Sequence, residues 1–302
     1  MRHRPLSRFG GRIPAPEWLG LGALFLFTVA AVLGYGVFAL HPHLIPDSEG
    51  VRAFYGQSFK LFARAHIFAG ALVLALPLVV RAGLRWLPAF GAVAVVSFLS
   101  EYLGTGYGIP FGSYEYTGLL GYKLGGRVPF LIPVSWFLMA LPSWVLAAAF
   151  LPPRRSGGRA AGGDFWGRVL LGGYFLTVWD LALDPAMSFL TPYWTWEATG
   201  PYFGMPWVNL AGWMGTAVVL MILLEYLGVR RWAFRLSFPW YATYYGLVLL
   251  MPLGMVAAAG LWTAVLATVG ALLLPWAVRS FARTRMGRGQ LPDLAGKEGA
   301  VP

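Results

Sequence analysis

The stretch Trp166–Met187, "WGRVLLGGYFLTVWDLALDPAM", decides how this chain is built. As a membrane crossing it is short and contains acids, with Asp180 and Asp184 towards its end. The hydrocarbon core of a bilayer is about 30 Å thick and takes about 20 helical residues to cross. Counting this segment, eight apolar blocks follow one another: Trp18–Leu40, Phe62–Val80, Trp86–Leu103, Val128–Leu151, Trp166–Leu183, Trp207–Leu227, Trp240–Ala258 and Leu261–Val278. Its two aspartates stand four residues apart, just over one helical turn, so both carboxylates share a face.

Composition points the same way. The 302 residues are 58% hydrophobic and 12% charged, with 14 Trp, 21 Phe and a mean hydropathy of +0.64. A chain of this kind is expected to be an all-α, polytopic membrane helix bundle of about eight transmembrane helices. Residues 1–290 read as a single integral-membrane domain and 291–302 as a disordered C-terminal tail.

The basic residues test the count. With a cytoplasmic N-terminus, the inner segments hold Arg2, Arg4, Arg8, Arg12, Arg81, Arg85, Arg154, Arg155, Arg159, Arg168, Arg230, Arg231, Arg235, Arg279, Arg283, Arg285, Arg288 and Lys297, which is 18 of the 23. Arg52, Lys60, Arg64, Lys123 and Arg127 fall outside. Every inner loop is basic, the positive-inside pattern for eight spans with both termini cytoplasmic. Seven spans would break the alternation. The expected location is the cell inner membrane.

The net charge of +11 is therefore assigned to topology and anionic lipid. Its Arg residues are dispersed over five short segments, which argues against nucleic acid as a partner. With no cysteine there is no disulfide, thiolate catalysis or Cys-ligated metal. The first span is too long for a removable signal peptide and has no small-residue cleavage site.

Chemistry should concentrate in the outer connections, 104–127 and 184–206, which are dense in Gly, Pro, Tyr and Trp. The two regions resemble one another. Each runs from an acid near the end of a span (Glu101; Asp180 and Asp184) through an aromatic-x-aromatic pair, Tyr114-Glu115-Tyr116 or Trp194-Thr195-Trp196. A Thr-Gly, a Tyr (Tyr122 or Tyr202) and a Pro (Pro129 or Pro206) follow. A tandem duplication of a helix–loop–helix unit, inserted in the same orientation, would account for this.

Seven of the 12 acids fall in the expected outer half: Asp47, Glu49, Glu101, Glu115, Asp180, Asp184 and Glu197. Glu101, Asp180 and Asp184 lie within or at the ends of spans, where an ionised carboxylate costs roughly 3 kcal/mol at a helix centre and less near an interface. Burial disfavours the charged form of a carboxyl and a neighbouring carboxylate disfavours it further, which makes a proton donor at neutral pH. Three such groups facing one another could give a proton and take one back, with Asn209 orienting a carboxyl or a water. The blander reading makes Asp184 a turn opener before Pro185 and pairs Asp180 with Arg64 or Arg127. Glu225 is expected to pair locally with Arg230 or Arg231 and stays out of the site.

His41, His43 and His66 bring no carboxylate-rich metal motif with them, so no metal is expected. His66 could relay a proton. Most of the Trp residues read as interfacial anchors, but Tyr114, Tyr116, Trp194, Trp196, Tyr202, Trp207 and Trp213 cluster with the acids. Aromatic faces stabilise a desolvated cation by about 0.5–2 kcal/mol each. A buried acid in an aromatic cage open to lipid suits protonation of an alkene.

Three stretches carry a family resemblance: "EYLGTGYGIPFGSYEYTGLLGYKLGGRVPFLIPVSWFLM" from Glu101, "DLALDPAM" from Asp180 and "YWTWEATGPYFGMPWVNLAGW" from Tyr193. Taken in order, they resemble the integral-membrane carotenoid biosynthesis proteins that include the CruF-type carotenoid hydratase and the bisanhydrobacterioruberin hydratase. The resemblance runs from the third block to the sixth, and the other blocks match in hydropathy alone. It implies a cofactor-independent hydratase that takes its carotenoid from the lipid phase and adds water across the terminal double bond of an acyclic end, giving a tertiary alcohol. Lycopene and γ-carotene would be substrates, and other carotenoid biosynthesis enzymes would be partners. From the chemistry, Asp180 or Asp184 is the acid, Glu101 the base or water holder and Asn209 the positioner. A lycopene cyclase, which lets an internal alkene trap the same cation, and a transporter or carotenoid-binding scaffold without chemistry stay open. A prenyltransferase is disfavoured, because no Asp-rich diphosphate motif appears.

Overall fold

The computed structural model describes residues 15–151 and 160–288, and all structural statements refer to these. The terminal arginines Arg2, Arg4, Arg8 and Arg12, the loop arginines Arg154, Arg155 and Arg159, Lys297 and the tail from 291 lie outside the described residues.

Eight long helices form the bundle: α1 (Ala15–Gly34), α2 (Glu49–Ala82), α3 (Leu87–Tyr107), α4 (Leu131–Phe150), α5 (Ala160–Asp184), α6 (Trp207–Tyr226), α8 (Phe238–Ala258) and α9 (Trp262–Arg288), with a single-turn α7 (Arg230–Ala233) before α8. Seven of the long helices are apolar enough to cross a membrane, which makes this a multi-pass membrane protein. α5 is not among the seven, because Arg168, Asp180 and Asp184 dilute its apolar run.

Most boundaries agree with the hydropathy blocks, and two do not. α2 begins at Glu49, far before Phe62, because Ser48 caps it by accepting from the Val51 N–H at 3.3 Å. α9 continues to Arg288, one long helix beyond Val278. The two-residue break between α8 and α9 is real: Gly260 takes φ +73° and turns the chain.

α4 sits at the centre. It is apolar all round and 89% of its crossing window is buried, against 22% for α1 and 11% for α9 at the periphery. α5 and α8 pack against it. Buried tyrosines of α8 bind its neighbours, Tyr244 donating to the Gly70 carbonyl of α2 at 3.0 Å and Tyr245 to the Phe175 carbonyl of α5 at 2.7 Å.

α5 is tied to α6 at both ends. At one end Arg168 donates to Glu225 through Nε at 2.7 Å and Nη2 at 3.2 Å, and at the other Asn209 donates to Asp180 at 2.8 Å. Glu225 also accepts from the Trp144 indole N–H at 3.1 Å, so its partner is Arg168 and not the expected Arg230 or Arg231.

The aromatic-rich connections are not all loop. Tyr114–Tyr116 (β1) and Trp194–Trp196 (β4) pair as an antiparallel ribbon in which Tyr114 faces Trp196, Glu115 faces Thr195 and Tyr116 faces Trp194. The two copies of the aromatic-x-aromatic motif thus pair with each other. Strand alternation turns the rings inward and leaves Glu115 and Thr195 exposed. A second small ribbon joins β2 (Lys123–Leu124) to β3 (Val128–Pro129). At Gly212 a Cβ would stand 2.6 Å from the Pro110 carbonyl oxygen, so the loop packs directly onto the α6 backbone.

Candidate functional site

The β1–β4 ribbon closes one end of the bundle over a cavity of about 100 Å³. Its wall carries Glu101 from α3, Asp184 from α5 and Asn209 from α6, among aromatic side chains from both ribbon strands and from α4, α5 and α6.

Each cavity carboxyl is held by its own aromatic pair. Glu101 Oε2 accepts from the hydroxyls of Tyr114 and Tyr116, the latter at 2.8 Å, and Oε1 accepts from the Trp136 indole N–H at 2.8 Å. Asp184 Oδ2 accepts from the Trp194 indole N–H at 3.3 Å, and Oδ1 from Trp196 at 3.2 Å and from the Ser188 hydroxyl at 2.6 Å. Both acids therefore have donors on both oxygens, supplied by rings whose edges would otherwise be buried without partners.

The local fold explains how Asp184 acquires its third donor. Pro185 has no N–H to continue the helix ladder, and the chain widens into a π-helical turn over Pro185–Leu190. Asp184 is thus followed by helix rather than by the turn of the blander reading. The widened turn sets Ser188 beneath the carboxylate.

Asp180 is placed differently. It is fully buried, its Oδ2 accepts from Asn209, and its Oδ1 has no hydrogen-bond partner among the described residues. It does not line the cavity, whereas Asp184 one turn further on does. Neither suggested cation pairs with it: Arg64 donates to the carbonyls of Leu119 and Gly118, and Arg127 lies over the Tyr102 ring at 5.0 Å.

Of the expected aromatic cage, Tyr114, Tyr116, Trp194, Trp196 and Trp213 line the cavity. Tyr202 and Trp207 do not. Tyr202 turns away to donate to the Leu181 carbonyl at 2.7 Å, and Trp207 is 59% exposed at the surface. An exposed Trp at the first turn of a crossing helix fits an interfacial anchor. His66 lines the cavity, with Nε2 3.0 Å from the Thr28 hydroxyl.

Sequence reading missed Trp136, Trp179, Tyr193 and Ser188. For Trp136 the signal was present: Trp136 follows Pro129 by seven residues, as Trp213 follows Pro206. Carried that far, the repeat pairs the two indoles, which stack with centroids 4.2 Å apart and 23° between planes. The helix–ribbon–helix units α3–β1–α4 and α5–β4–α6 thus meet through like parts, strand on strand and Trp on Trp.

A sequence-family model described as "Carotenoid biosynthesis protein" matches residues 62–275, spanning α2 to α9. The chain belongs to this family. It is 32% identical over 221 residues to a bisanhydrobacterioruberin hydratase of Haloarcula japonica, covering 68% of this chain and 67% of that protein. No solved structure matches. The carotenoid biosynthesis family match includes every cavity residue named above, and the relative's name as a hydratase suggests hydro-lyase activity.

The ribbon tyrosines remain protonated donors. Burial first and the Glu101 charge second push Tyr114 and Tyr116 well above the ordinary tyrosine value, and burial pushes Tyr193 up to about 12. An unfolded tyrosine ionises near about pH 10. Their contribution to stability is thus full below that value and is lost as pH rises through the folded values. In an alkaline titration followed by tyrosinate absorbance, Tyr114 and Tyr116 are expected to ionise late, with the other buried tyrosines and together with unfolding. A late phase smaller by two tyrosinates in the Y114F/Y116F variant checks the assignment, and an unchanged amplitude refutes it.

Proposed function

We propose that this chain is a carotenoid hydratase that adds water across the terminal double bond of an acyclic carotenoid end group of the lycopene or γ-carotene type, giving a tertiary alcohol. The observation that carries this reading is the pair of carboxyls, Glu101 and Asp184, each held by three donors on the wall of one aromatic cavity. The related hydratase supports it from the sequence side.

In this scheme the Asp184 carboxyl delivers its proton to the less substituted alkene carbon, and the positive charge appears on the tertiary carbon. Trp194, Trp196 and Ser188 already point donors at the oxygens on which the aspartate's negative charge is left, so little rearrangement accompanies the transfer. The stacked Trp136–Trp213 pair and the ribbon tyrosines face the cation. A water held at Glu101 adds to the tertiary carbon and gives its proton to that carboxylate. One water is consumed, and return of the proton from Glu101 to Asp184 resets the site. No cofactor enters.

Asp180 and Asn209 act behind Asp184 as a second carboxyl and its holder. Two carboxyls on the wall of a pocket with no Lys or Arg, and Asp180 behind them, are relieved of mutual repulsion by sharing protons. His66 contributes a second polar edge to the cavity and is assigned to water placement or proton return.

The same reading takes the membrane topology as eight crossings with both termini cytoplasmic, in the cell inner membrane. It is supported by α5 meeting α6 at Arg168–Glu225 and again at Asp180–Asn209, so that α5 runs the same distance as a helix apolar enough to cross.

Expression in a lycopene-producing host tests the function. Extracted pigment is expected to gain the mass of one or two waters. A new product isomeric with lycopene would mark a cyclase, and unchanged pigment with well-folded protein in the membrane would refute catalysis on this substrate.

A further inference from the structure

The site cavity of about 100 Å³ has the share of liquid volume taken by roughly three waters, far too little for a long polyene. A second, larger cavity of about 540 Å³ lies against it between α1, α2 and α8. The two share three wall residues, Met187, Tyr193 and Met251, so the larger space adjoins the site with that collar between them. Two of the three are methionines, whose unbranched side chains adapt their shape to what passes.

The larger space has no charged residue on its wall. Small residues of α1, among them Ala31 and Gly34, leave room along one side, and Phe38 and Phe54 stand at its outer margin, 42% and 73% exposed. In a membrane protein such an exposed aromatic rim faces lipid or its interface. An apolar chamber with an exposed aromatic rim, separated only by a collar of two methionines and a tyrosine from the cavity that holds Glu101 and Asp184, fits a long hydrocarbon with a reactive end.

We infer that this chamber is the access route and holding site for the polyene chain, which enters end-first between α1 and α2 and presents one terminus at a time to Glu101 and Asp184. The inference rests on the proposed hydratase reading for the identity of the ligand. It adds that a carotenoid with two reactive ends must leave and re-enter reversed, so a singly hydrated product is released between the two additions.

Gly34 offers a clean test. Its φ of −59° is an ordinary helical value, and a Cβ built there meets no heavy atom within 4 Å. Larger side chains at this position grow into the chamber. Gly22, on the same helix and outside the chamber wall, has equal room and serves as the control. The series Gly34→Ala, Gly34→Leu and Gly34→Trp is compared with Gly22→Trp in a lycopene-producing host. Two quantities are read: polyene absorbance retained per purified protein, and hydrated pigment formed.

Retained polyene is expected to fall in steps along the series, by tenfold or more at Trp, with hydration falling in parallel and Gly22→Trp matching wild type. Where Gly34→Trp does not fold, Gly34→Leu carries the comparison. Equal retention across the folded Gly34 series, or no polyene retained by wild type, overturns the inference. Stepwise retention without any hydrated product upholds the chamber and counts against the hydratase reading instead.

Discussion

Exchange of Glu101 for Gln, or of Asp184 for Asn, lowers the formation of hydrated carotenoid by about 10²–10⁴-fold, the usual contribution of a positioned acid or base. The amides keep the size and planarity of the carboxyls, so packing is retained while the chemistry changes. At Asp184 the amide has no proton to give an alkene. At Glu101 it cannot accept the proton that water must lose, and its NH₂ would face one of three donors already aimed at that side chain. Asp180→Asn is expected to act more weakly, because that carboxyl lies outside the cavity wall. The check is pigment yield normalised to folded protein in the membrane. Full activity in either Glu101→Gln or Asp184→Asn sinks its assigned role.

Arg168→Met destabilises the bundle by about 3–5 kcal/mol, the cost of stranding one partner of a buried ion pair. The side chains of Arg168 and Glu225 are 10% and 12% exposed, and two hydrogen bonds join them. Removing the guanidinium leaves Glu225 with the Trp144 N–H as its remaining hydrogen-bond donor among the described residues. Thermal unfolding in detergent should show a large drop for Arg168→Met. The double variant R168M/E225L should recover most of it, because an apolar pair in place of a buried ion pair is close to neutral. A single variant as stable as wild type would show that the pair does not hold α5 to α6.

The helices were legible because a membrane crossing must satisfy its own backbone and be apolar over a fixed length, and both conditions are written locally. The same rule explains the fifth block. α5 can be less apolar than the others because Arg168 and one oxygen of Asp180 find partners on α6, and the hydropathy of α5 alone does not include those partners.

The site was partly legible. Glu101, Asp180, Asp184 and Asn209 stood out together as polar groups in an apolar chain, and the repeated aromatic pairs marked what surrounds them. Strand pairing was not legible, because three-residue strands have no length or pattern to distinguish them from loop and gain their stability from the opposite copy. For the same reason Tyr202 and Trp207 were grouped with the cage by proximity in sequence, while the chain turns both away.

By itself the sequence determined a polytopic helical membrane protein, the positions of its long apolar helices, two similar helix–loop–helix stretches and the residue types of the candidate site. Only the tertiary structure decided that Asp184 rather than Asp180 reaches the cavity. A four-residue spacing puts both on one helix face, and it is the neighbours that separate them: α6 brings Asn209 to one, and the ribbon brings Trp194 and Trp196 to the other.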